Sequence, residues 1–133
     1  MSKILLLVLF GILCLSVTAT ASVQQGFSVK QYEEFHEVLH PLEHEALPKN
    51  DFNRIRQQSA LLVKRGKEIA AVGVPAGIGG EQEVEFKKEL TKFNGALNKF
   101  RSDSRRSSNS RLKASYSAVH DSFEMLASML PRQ

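Results

Sequence analysis

The sequence predicts an all-α protein, an antiparallel up-down-up-down four-helix bundle that follows a cleaved signal peptide. Three observations predict it. Apolar residues recur at alternating steps of three and four in four separate segments, Gly-, Pro- or Ser-rich breaks part those segments, and no segment shows the period of two that a strand needs.

At the start, Lys3, an apolar run from Ile4 to Val17, and small residues at Ala19 and Ala21 make a secretory signal peptide over 1–21. Its apolar part is shorter than the roughly 20 residues of a membrane span, so cleavage after Ala21 and no stable membrane insertion are expected. The bundle domain then covers 22–133. The one cysteine, Cys14, falls inside the signal. A small exported protein without disulfides relies on its core or on a ligand, which points to a periplasm or otherwise to secretion.

After a polar lead-in, Tyr32, Phe35, Leu39, Leu42 and Ala46 form the first helical stripe. Pro41 interrupts it by removing a backbone donor and crowding the Glu37 carbonyl, so the helix should kink or tighten between His36 and His44. Pro48, Asn50 and Asp51 end this helix and cap the next. The second helix spans about 51–71, with Phe52, Ile55, Ser59, Leu62 and Ile69 inward and Leu61 and Val63 widening that side. Four glycines and Pro75 make Gly73 to Gly80 a loop; it lacks the lysine and the preceding strand of a phosphate-binding loop. The third helix starts near Glu81, where acidic residues suit the positive end of the helix dipole, and shows Phe86, Leu90, Phe93, Leu97 and Phe100. Ser102 to Ser110 form the next break. The last helix carries Leu112, Tyr116, Val119, Phe123, Leu126 and Leu130, and Pro131 ends it.

The formal net charge of +4 arises in the second half, where Arg101, Arg105, Arg106, Arg111 and Lys113 surround the serine-rich break. A solvated loop is the first reading, and contact with phosphate or an anionic membrane the second. No aromatic residue interleaves the arginines, and nucleic acid is not expected as a partner.

The chemistry is concentrated in the histidines. His36, His40 and His44 recur every fourth residue and so form a ladder on one side of the first helix. His120, directly after the core position Val119, flanks the seam of the last helix, whose level is expected near Leu39. Imidazoles four apart on a helix can bind one ion, and His120 would close the site from the facing helix. Glu33, Glu37, Glu43, Asp121 and Glu124 are available as oxygen ligands or as acceptors that orient the rings. Nitrogen and oxygen donors without thiolate suit Zn²⁺, Cu²⁺ or Ni²⁺. Polar surface histidines with no ligand are the alternative. Glu33-x-x-His36 and Glu37-x-x-His40 match the E-x-x-H element of di-iron bundles, but both copies lie on one helix, whereas that centre needs them on two.

Exported size, four helices and a histidine, His120, in the last helix resemble the soluble periplasmic cytochromes of the b562 and c′ type. The resemblance implies haem b beside the final helix and electron transfer as the alternative function. It departs in having no C-x-x-C-H and no methionine on the first helix, so His36 or His40 would be the second axial ligand; Met125 and Met129 read as core filler. No nucleophile and base are paired and no G-x-S-x-G elbow occurs near Ser115, Ser117 or Ser122, so the reading is not an enzyme. The expected function is a periplasmic or secreted bundle that binds a transition-metal ion through His36, His40, His44 and His120 for storage, sensing or delivery. A bundle acting through a protein partner is the third possibility.

Overall fold

The computed structural model describes residues 26–132. The expected signal peptide, Cys14 and the start of the mature chain lie outside them. Within the described residues the protein is an all-α four-helix bundle: α1 (Lys30–Pro41), α2 (Phe52–Val72), α3 (Glu81–Arg106) and α4 (Asn109–Ser128), with a π turn (Leu42–Ala46) continuing α1. No described helix is long and apolar enough to cross a membrane.

The four stripes make the core. Tyr32, Phe35 and Leu39 from α1, Ile55, Leu62 and Ile69 from α2, Phe86, Phe93, Leu97 and Phe100 from α3, and Leu112, Tyr116, Val119, Phe123 and Leu126 from α4 are all buried. Two apolar residues expected inward are not. Leu61 is exposed, because it sits one step round the helix from the buried Leu62 while Val63 on the other side turns in. Met125 likewise precedes the buried Leu126 and faces solvent, whereas Met129 packs against the core.

Contacts between neighbouring helices pair rising residue numbers on one with falling numbers on the next. Glu34 meets Arg65 while Glu45 meets Arg54; Lys67 meets Asn98 while Arg56 meets Asp103; Phe35 meets Phe123 while Leu39 meets Tyr116. Spacing between helices is uneven. At Gly66 a Cβ would stand 2.5 Å from a methyl group of the buried Leu97, so α2 and α3 approach as closely as a hydrogen atom allows. The backbones of α1 and α4, by contrast, stay apart along most of their length, with aromatic rings filling the seam.

The break expected over 102–110 contracts to Ser107 and Ser108, since α3 runs on to Arg106. Arg56 of α2 explains the extension. Its guanidinium donates to the carbonyl oxygens of Asp103 (3.2 Å), Ser104 (3.0 Å) and Ser107 (2.7 Å) and to Asn109 Oδ1 (3.1 Å). A helix C-terminus leaves its last carbonyls without partners, and here a planar fork of donors supplies them. Ser108 then caps α4 by accepting from the Arg111 N–H, and Asp51 caps α2 by accepting from the Arg54 N–H, the latter as the sequence indicated.

Two substitutions of the same kind should act in opposite directions. Gly66→Ala should lose about 1–3 kcal/mol in urea unfolding, because the added methyl has to displace Leu97 in a packed core. Gly95→Ala, exposed and with open space around the new Cβ, should gain about 0.5–1 kcal/mol from reduced backbone freedom in the unfolded chain. Arg56→Ala should lose about 1.5–3 kcal/mol, as expected for hydrogen bonds to a charged donor. Lysine at position 56 should restore less than half of that, since an ammonium cannot span carbonyls on both sides of the turn.

Candidate functional site

Pro41 shapes the ladder. With no N–H to offer the Glu37 carbonyl, the α-helical pattern gives way, and the chain widens into the π turn rather than tightening. The Leu47 N–H reaches back five residues to the Leu42 oxygen, at 2.9 Å. In an α-helix a step of four overshoots the full turn of 3.6 residues, whereas in a π turn each residue rotates the chain less. The overshoot from His36 to His40 is therefore countered from His40 to His44, and the rings stay in file. Their centroids are 5.3 Å apart for His36 and His40 and 4.3 Å for His40 and His44. Tyr116 of α4 steadies the junction by donating its hydroxyl to the Leu39 carbonyl oxygen, 3.2 Å away.

The ladder borders the open seam. A groove of about 420 Å³ is lined by Phe27, Glu33, His36, Glu37 and His40 from the first part of the chain and by Glu124 from α4. Phe27, which the sequence leaves in a polar lead-in, folds over this end: its ring lies 5.4 Å from His36 and 5.6 Å from Phe123, and its N–H donates to Glu33 Oε2. His36 is half-buried, stacked 6.2 Å from Phe123, while His40 and His44 are exposed. Burial, then the charge of neighbouring His40, hold the His36 imidazole below its ordinary value, against the opposing pull of Glu33 and Glu124. His36 is thus held in the neutral form that can ligate.

Tyr116 meets Leu39 and Phe123 meets Phe35, so His120 lies on α4 between the levels of Leu39 and Phe35 rather than at Leu39 itself. Its Nδ1 lies 3.2 Å from Asp121 Oδ1, its own neighbour, and it does not line the groove. Rings as large as Tyr32, Phe35 and Phe123 fill the seam between α1 and α4. Among the described residues no three His, Cys, Asp or Glu side chains are arranged to hold a metal ion. Glu124 is the residue of α4 that shares the groove with the ladder. Its spacing of four from His120 was the available signal, since both then lie on one side of α4.

Because the folded chain takes up a proton at His36 less readily than the unfolded one, stability from this source is complete above the ordinary imidazole value of about 6.5. It falls as pH drops through that value and through the lower folded one. Urea unfolding of metal-free protein should therefore show a loss between about pH 7.5 and 5.5 that His36→Gln reduces. An undiminished loss in that variant would assign the titration to another group. Comparison of the chain with family models, with curated proteins and with solved structures finds no match.

Proposed function

We propose that the protein binds a divalent transition-metal ion, Zn²⁺, Cu²⁺ or Ni²⁺, at the His36–His40–His44 ladder, and that it serves in sensing or delivery rather than storage. The observation that carries this reading is the file of three imidazoles, 5.3 and 4.3 Å apart, of which His36 and His40 line a groove together with Glu33, Glu37 and Glu124. Adjacent rings a turn apart can close on one ion by rotating their side chains, and carboxylates beside them supply oxygen ligands or orient the rings. Two of the three rings face solvent, so an ion held there exchanges readily with a protein partner. His40 is the central ligand because it neighbours both other rings.

Around this site we read an antiparallel up-down-up-down topology, supported by the reversed pairing of residue numbers between neighbouring helices. The signal-like apolar run and the cysteine-free remainder support a periplasmic or secreted protein. The haem alternative has less behind it. Tyr32, Phe35 and Phe123, with ring centroids 4.7 and 5.9 Å apart, fill the seam in which a haem beside the last helix would lie.

Thermal unfolding of the mature protein tests the site. An ion that binds only the folded state at one hundred times its dissociation constant adds about 2.7 kcal/mol. The melting temperature should rise with Zn²⁺ or Cu²⁺ at about pH 7.5, and the rise should fade near pH 5.5 as the imidazoles protonate. His40→Ala should abolish most of it and His120→Ala little. An equal response in His40→Ala would remove the ladder as the site.

A further inference from the structure

The arginines of α3 follow a rule of their own. All four lysines of that helix are paired with a carboxylate one turn away: Lys87 with Glu83, Lys88 with Glu85, Lys92 with Glu89 and Lys99 with Asp103. Its three arginines, Arg101, Arg105 and Arg106, take part in no ion pair among the described residues. The one carboxylate among these arginines, Asp103, is taken by Lys99 and by the Ser107 hydroxyl. Guanidinium differs from ammonium in offering a planar fork that grips an oxyanion through two hydrogen bonds. A helix C-terminus does attract cations, but Arg101 lies before the last turn, and Arg56 already donates to the Asp103 and Ser104 carbonyls there.

Two grooves flank these residues. One, of about 390 Å³, is lined by Asn98, Arg101, Ser102, Arg105 and Arg106. The other, of about 260 Å³, lies between α2 and α3, where Ser59, Lys64 and Ser104 join the same Arg101 and Arg105. No carboxylate lines either groove; the Asn98 amide and the Ser102 hydroxyl add polar groups to the first and the Lys64 ammonium a cation to the second, where the Ser59 and Ser104 hydroxyls already donate to backbone carbonyls. We propose that this face of α3 binds a compact polyanion bearing two or more phosphate groups, with Arg101 and Arg105 as the shared ligands of both grooves. Two anionic groups are specified because each groove presents its own donors to the common pair of guanidiniums. The linings contain no aromatic ring on which a base would stack, which disfavours single-stranded nucleic acid. They also lack the large apolar side chains with which a membrane-docking helix enters the interface.

Calorimetric titration of the metal-free mature protein with tripolyphosphate, and separately with inorganic phosphate, at about 0.15 M ionic strength, tests the proposal independently of the histidine site. Tripolyphosphate should bind with one-to-one stoichiometry, about tenfold or more tighter than monophosphate. Arg101→Gln combined with Arg105→Gln should weaken it by about tenfold or more, and Arg111→Gln, off both grooves, should not. Arg101→Lys keeps the charge and the helix but removes the fork, and should also weaken binding. Unchanged affinity in the Arg101 and Arg105 variants, an equal loss in Arg111→Gln, or binding to phosphatidylglycerol vesicles without binding to tripolyphosphate would each overturn it.

Discussion

One side chain joins three of the four helices at a single end of the molecule. Arg56 leaves α2 and donates to three carbonyl oxygens at the end of α3 and to the first residue of α4. The Asp103 carbonyl also accepts from the Ser107 N–H, but Ser104 lies in the last turn, where a helix supplies no partner of its own, and leaving such a group buried and unpaired would cost more than an ordinary hydrogen bond contributes. With these carbonyls satisfied, α3 continues through a serine- and arginine-rich stretch of weak apolar character, and the turn into α4 shrinks to two residues. The length of α3 and the position of α4 both follow from that anchor. So does the freedom of Arg101, Arg105 and Arg106, which are not needed to close the helix.

On the other side of the bundle the constraint is bulk. Tyr32, Phe35 and Phe123 meet across the α1–α4 seam and hold those backbones apart, while Gly66 lets α2 and α3 come close. The asymmetry leaves a groove on the first side and a tight interface on the second. The Tyr32 hydroxyl is buried in that seam without a hydrogen-bond partner, a local departure from the rule that buried polar groups are satisfied. Pro41 falls on the same open side. The π turn it provokes packs against the start of α2, where Glu45 pairs with Arg54, and the Tyr116 hydroxyl adds a second donor to the Leu39 carbonyl that already accepts from the Leu42 N–H.

The stripes were legible because burial on a helix imposes a period on the order of apolar residues, and Phe35, Phe93 and Phe123 lie where that period puts them. Leu61 was misplaced because a window of three apolar residues in a row carries no phase. Serine and arginine between 102 and 106 read as a break because helix propensity is a weak prior, and the residue that overrides it, Arg56, is some fifty positions distant in sequence. The ladder was visible from its spacing, but the location of His120 depended on the vertical register of two helices not joined by a short turn. Phe27 lay outside any periodic segment, so nothing local showed that it would cover the groove.

A ligand shifts a protein only by the difference in its affinity for two states, so a responsive site needs slack beside it. In this bundle the slack and the proposed metal ligands coincide. An ion at His40 would find Glu124 of α4 in the same surface groove, with the exposed rings of the ladder free to rotate. The same ion placed between α2 and α3 would find backbones already as close as Gly66 permits. Large aromatic residues in the first and last stripes therefore do more than fill the core. By their size they hold α1 and α4 apart, and His36 and His40 line the surface groove beside them.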